Sequence, residues 1–239
     1  MSIYNTNQYV CKVCGYNMIG YYPQNCPFCG VSNENFIAAE ECSQKFSVVK
    51  KKVTSRVSML SSSPKLGLEH AAYQIQTENQ VIMIDCPSTF DRNLDRMDKI
   101  LFTHHHFLGA SNLYRNYYTA FIWIHKKDSA NFLANKHTFD KKFENDFDLE
   151  GIRAYNINGH TQGFTFYTFQ DVIFICDYVF LTENGVKLNP YGPRYRTIDG
   201  LMKAKGILET NDYTKVCGYN YTIDYSDWKS YIDEFLKKN

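Results

Sequence analysis

Four of the eight cysteines stand in two identical spacings near the start of the chain, Cys11-Lys12-Val13-Cys14 and Cys26-Pro27-Phe28-Cys29; Cys42, Cys86, Cys176 and Cys217 are isolated. Without an export signal, paired C-x-x-C knuckles read as metal ligands rather than as disulfides. The two-residue gap lets both sulfurs of a knuckle reach one ion while turn N–H groups point at the thiolates. Gly15 and Gly30 follow the knuckles, where a backbone turning tightly around sulfur needs freedom in φ. Four thiolates around one ion make a closed tetrahedral site for zinc or iron.

A second set of donors is spread more widely. Thr103-His104-His105-His106 follows the apolar run KILF. In an extended segment alternate residues point the same way, so His104 and His106 can face one ion while His105 points elsewhere. His160 lies in the Gly-flanked Asn158-Gly159-His160-Thr161-Gln162-Gly163, and Asp177 ends the apolar run VIFIC. A carboxylate at a buried strand tip needs a cation or several hydrogen bonds. His125 ends FIWIH and is expected to cap the next helix. Asp85 is expected to tie loops together beneath the site, and Cys86 and Cys176 to face the core. Glu69 and His70 precede a strand and receive no role.

The elements that must hold these residues are mostly short strands. AAYQIQTE and QVIMIDC, joined at Glu78-Asn79, read as a hairpin; KILFT, FIWIH, RAYNI, FTFYTF and VIFICD are further β-branched or aromatic runs. FLGASNLYRNYY, KKDSANFLAN, TIDGLMKAKGILET and DYSDWKSYIDEFLKK read as helices. The class is α/β with mixed sheets. Composition changes between Ala38 and Pro64, where Lys50-Lys51-Lys52 reads as a solvated strand edge. This places a small module at 1–40 and a larger domain at 45–239.

The chain has 239 residues, 44% hydrophobic and 21% charged, enough to bury a substantial core. A net charge of +1 speaks against a nucleic-acid partner. No apolar run is long enough to span a membrane, and MSIYNTNQYVCKVCG has no signal-like apolar stretch, so the expected address is the cytoplasm.

The segment YVCKVCGYNMIGYYPQNCPFCGVSNENF resembles the rubredoxin-like module of rubrerythrins, through C-x-x-C-G-Y, a Pro before the second knuckle, C-P-x-C-G and the trailing Phe36. That resemblance implies one iron on Cys11, Cys14, Cys26 and Cys29; zinc ribbons use similar knuckles, which keeps structural zinc open. The remainder resembles the metallo-β-lactamase superfamily through LEHAAYQIQTENQVIMIDCP, DKILFTHHHFLGASN, NGHTQGFTFY and VIFICDYVF. The resemblance implies an αββα sandwich, a metal site at one edge of its sheets, His104, His106 and His160 as first-site ligands, and Asp177 in the bridging position. Where the family continues T-H-x-H-x-D-H, this chain has Leu108 and Gly109, and the last family histidine aligns with Tyr219. Three ligands of a second ion are therefore missing, with Cys217 or Tyr219 as the substitutes at hand, and one iron or zinc ion is expected. Persulfide dioxygenases and flavodiiron proteins are redox precedents in this superfamily.

Three functions follow. The first is a non-haem-iron oxidoreductase acting on a small soluble substrate, served by the four-cysteine centre and a redox partner protein. The second is a single-metal hydrolase of an ester, thioester or phosphoester, with Asp177 and Tyr219 as candidate catalytic groups. The third is a non-catalytic metal-binding scaffold. A homodimer is compatible with each.

Overall fold

Short β-branched and aromatic runs broken by glycine and asparagine turns produce strands of three to seven residues in a computed structural model that describes residues 3–4 and 7–239. The chain divides into two compact units, Met1–Phe143 and Glu144–Asn239.

The first unit opens with a three-stranded antiparallel sheet in the order Asn17–Ile19, Gln8–Cys11, Phe36–Ala38. The helix Ala39–Lys45 leads into a mixed sheet of seven strands among the described residues. Its order is Lys141–Phe143, Phe121–His125, Lys99–Leu101, Val81–Ile84, Ala72–Gln76, Val57–Ser63, Ser47–Lys52. The expected hairpin is present, with Tyr73 opposite Ile84 and Ile75 opposite Ile82. From Val81–Ile84 onward neighbouring strands are parallel, which requires crossovers; Ser111–Tyr118 is the helix of one of them. Lys50, Lys51 and Lys52 are exposed on the outermost strand, where unpaired backbone would otherwise invite another chain. Met83, Ile100, Ile122, Phe90, Leu113 and Tyr114 are among the residues that fill this unit's core.

The second unit carries a six-stranded sheet ordered Phe147–Leu149, Ile152–Asn156, Thr165–Phe169, Val172–Cys176, Lys215–Gly218, Thr222–Asp224, and a separate hairpin Val179–Thr182 with Gly185–Leu188. Every residue of Thr165–Phe169 and Val172–Cys176 is buried, which fits unbroken apolar runs better than alternating ones. The helices Arg194–Leu208 and Tyr225–Lys237 pack Leu201, Ala204, Leu208, Trp228 and Ile232 into the same core as Phe164, Phe166 and Ile173. The expected helix at KKDSANFLAN is instead two single turns, Lys126–Ser129 and Phe132–Ala134, because Asn131 interrupts it and caps the second through Leu133 N. No helix among the described residues is long and apolar enough to cross a membrane.

Candidate metal centres

The first knuckle turns where the strand Gln8–Cys11 ends, the second in the loop beyond the strand Asn17–Ile19. In each, the glycine N–H returns to the first cysteine's carbonyl: Gly15 to Cys11 at 2.7 Å and Gly30 to Cys26 at 2.9 Å, with φ of +82° and +77°. This repeated fold of the backbone brings the four sulfurs within 4.8 Å of one another. Cys11 and Cys29 stand 3.8 Å apart and Cys14 and Cys26 3.6 Å, none in a disulfide. Hydrogen bonds from the Cys14 and Cys26 thiols pull Cys11 below the ordinary thiol range. Four soft donors converging on one point fit a tetrahedral ion.

The module is built into the first unit rather than tethered to it. Tyr16 donates to the Leu133 carbonyl at 2.8 Å, and Asn17 to that of Ser88 at 3.0 Å. An amide relay runs from Asn112 to Gln8 to Asn17, each step 2.6 Å. A Cβ on Gly67 would fall 2.5 Å from the Val13 carbonyl oxygen, so the first knuckle lies hard against that backbone.

Four residues expected in the second centre lie two in each unit. In the first unit, residues 102–110 form an irregular loop beyond the strand Lys99–Leu101. The His104 and His106 rings are 4.7 Å apart, and His105 turns to a close pair with buried Asp128. Asp85 sits beneath the loop at φ +57° and accepts hydrogen bonds from Thr103 N at 2.8 Å and Thr103 Oγ1 at 2.8 Å. With its hydrogen spent on Asp85, the Thr103 hydroxyl oxygen accepts from His104 Nδ1 at 2.9 Å, which leaves Nε2 as the ligating atom. Burial, with His70 and His105 nearby, pushes His104 well below the usual imidazole range and keeps it neutral, the form that binds metal.

Neither Leu108 nor Gly109 offers a ligand atom. Leu108 is 2% exposed and belongs to the core of the unit. Gly109 has φ +52°, and a Cβ there would lie 2.3 Å from the Cys86 carbonyl oxygen and 2.4 Å from that of Pro87. The backbone itself occupies the place a histidine would need.

In the second unit, His160 follows Asn158 and Gly159 at φ +61° and +100°, and Asp177 follows Cys176 at φ +46°. Left-handed residues before both side chains mark strand ends bent to present them. His160 Nε2 and Asp177 Oδ2 are 3.7 Å apart, both buried. The Asn189 amide lies 3.3 Å from His160 Nε2 and donates to the Asp177 carbonyl at 2.9 Å and to Oδ2 at 3.1 Å. Asn189 carries no spacing signal in LNPYGP, so only the folded chain reveals it. His70 was equally silent: buried, it stacks on His104 at 6.2 Å and packs its edge on Phe107 at 4.6 Å. Glu69 accepts from Ser62 N and Oγ and from Ser88 N, tying a strand to the loop above it.

Tyr219 lies just beyond Lys215–Gly218 with its ring 4.8 Å from Phe180. Cys217 is buried, and burial pushes its thiol up. Cys86 is a core residue as expected, and His125 caps the turn Lys126–Ser129 by accepting from Lys127 N.

The rubredoxin-like domain of rubrerythrin matches residues 9–37. No curated protein matches the chain. Among solved structures, a metallo-β-lactamase from Pontibacter korlensis is 14% identical, with a TM-score of 0.63, over 80% of this chain and 98% of that one. The mono-zinc form of the metallo-β-lactamase FIM-1 from Pseudomonas aeruginosa gives 10% identity and a TM-score of 0.63 over 80% and 96%. An archaeal metallo-β-lactamase superfamily protein from Sulfolobus tokodaii is 18% identical, with a TM-score of 0.53 over 71% and 79%. The chain has the metallo-β-lactamase fold. A rubredoxin-like module precedes it, and both expectations of architecture hold. The module carries the four-cysteine cluster, and the fold that follows carries histidine and aspartate side chains suited to metal.

Proposed function

We propose that the protein is a non-haem-iron oxidoreductase for a small soluble substrate, with one ion held by His104, His160 and Asp177 and assisted by His106. The four-cysteine centre relays single electrons from a redox partner protein. On this reading residues 1–40 are the module and 45–239 the metallo-β-lactamase-like domain. What carries the redox reading is the four-sulfur cluster built into the same compact unit as the His104–His106 loop. Each of His104, His106, His160 and Asp177 offers one ligand atom. A single ion is supported by Leu108 in the core and by the lack of room at Gly109. Iron at such a site supplies open positions and one-electron chemistry. The chain's own part is to keep His104 neutral with Nε2 outward and to hold the Asp177 carboxylate through Asn189.

A single-zinc hydrolase is the second reading. The fold is shared with a metallo-β-lactamase solved in a mono-zinc form, and Asp177 could orient a water there. Metal analysis of anaerobically purified protein, with visible and EPR spectra, separates the two. The redox reading expects iron in both centres, and His160→Ala losing the histidine-centre iron while the red cysteine-iron bands stay. Zinc in both centres from iron-replete cells moves the assignment to hydrolysis; an ion that survives His160→Ala removes the proposed ligand set.

A further inference from the structure

Phe28 lies between two cysteine ligands of one centre and touches a histidine of the other. Its ring is 5.6 Å from that of His106 at 63°, and 5.4 Å from that of Phe107. On its other side Tyr16 stacks at 6.4 Å and 8°, itself anchored through its hydroxyl to the Leu133 carbonyl. These residues all belong to the first unit.

We propose that Phe28 is a positioning residue through which metal in the four-cysteine centre regulates metal binding by the histidine centre. The second knuckle's loop is closed by Gly30 N to the Cys26 carbonyl, Cys26 N to that of Val31, Asn33 N to that of Gln24 and the bridge between Asn25 and Ser32, while Pro27, Phe28 and Cys29 at its tip are all partly exposed. An ion on Cys26 and Cys29 fixes the backbone on both sides of Phe28, and so fixes the ring. His106 and Phe107 are the partly exposed residues of an otherwise buried, irregular loop, so their ring planes depend on what packs against them. A well-packed aromatic contact that forms fully only when the knuckle is filled makes the two ions bind cooperatively, and by linkage each strengthens the other. The expected coupling is about three- to tenfold in affinity, the scale of one aromatic pair.

The inference rests on the reading of His104, His106, His160 and Asp177 as one metal centre. Cobalt(II) is the probe, because its thiolate charge-transfer bands are distinct from the weak bands of a histidine-carboxylate site. Cobalt affinity of the histidine centre is measured in the full chain with the cysteines filled by zinc, and again in Cys11→Ser/Cys29→Ser. The filled protein is expected to bind about three- to tenfold more tightly. Phe28→Ala, with zinc still on all four cysteines, is expected to bind as weakly as the cysteine variant, and Phe28→Tyr to bind like the parent. Because the double serine variant could lose its fold, the His106 ring proton signals are compared between zinc-filled parent and zinc-filled Phe28→Ala, where a shift is expected. Equal cobalt affinities in parent and Phe28→Ala, or unshifted His106 signals, overturn the coupling alone. A parent protein that takes up no cobalt outside the cysteines overturns the histidine-centre reading, and the coupling falls with it.

Discussion

At the scale of single residues, two positions bear on the proposed single ion. Placing aspartate at Leu108 puts an unpaired charge into a core position 2% exposed, and placing any side chain at Gly109 drives it into the Cys86 carbonyl. Leu108→Asp with Gly109→His is therefore expected to lose about 3–5 kcal/mol in urea denaturation and to bind no second ion by elemental analysis. A soluble double variant holding two ions would show that the loop can be rebuilt. Thr103 has the opposite role, since its hydroxyl selects the His104 tautomer by linking Nδ1 to Asp85. Thr103→Val is expected to weaken the histidine-centre metal about 10- to 100-fold, while Thr103→Ser stays near the parent. Competition with a chromophoric chelator measures both.

Elements are held by side chains at their ends, and Asp140 is an example with a pH signature. It receives Arg115 from the helix Ser111–Tyr118 and Ile122 N from the strand Phe121–His125 at 2.8 Å. Burial by itself would raise its carboxyl, but the Arg115 and Ile122 hydrogen bonds outweigh that and pull it below the usual range. A carboxylate depressed in the folded state contributes stability above its unfolded pKa of about 4, and the contribution fades as pH falls through the folded value. Asp140→Asn should thus cost about 0.5–1 kcal/mol at neutral pH, given the partly exposed partner, and the difference from the parent should shrink as pH falls below about 4. A pH-independent difference in melting would assign Asp140 a purely steric part.

For the molecule as a whole, the four-cysteine module behaves as part of the unit that carries His104 and His106. Deleting residues 1–40 removes the Tyr16–Leu133, Asn17–Ser88 and Gln8–Asn112 hydrogen bonds, together worth about 2–4 kcal/mol at roughly 1 kcal/mol each. It also uncovers Leu133, which shares a cluster with Tyr16 and Met18. The truncated chain is expected to melt lower and to exchange amide hydrogens faster around residues 88, 112 and 133. Unchanged exchange there would identify the module as an independent appendage.

Local signals in the sequence were strong where chemistry demands fixed spacing or fixed periodicity. The C-x-x-C pairs, the T-H-x-H loop, the hairpin of AAYQIQTE with QVIMIDC and the amphipathic last helix all depend on neighbours a few residues apart, so they could be read in order. The domain fold was legible through its motifs, as was the lack of a ligand side chain at Leu108 and Gly109. Asn189, His70 and Phe28 could not be read this way, because their partners lie far away in sequence. Asn189 reaches Asp177 and His160 from 12 and 29 residues away. Phe28 meets His106 across 78 residues of sequence, in a module that also bonds to Leu133 and Ser88. The reason Gly109 cannot become a ligand was likewise invisible until Cys86 and Pro87 were seen to press their carbonyls against it. Residue type and spacing set which donors exist; packing between distant segments sets which of them are oriented, backed and within reach.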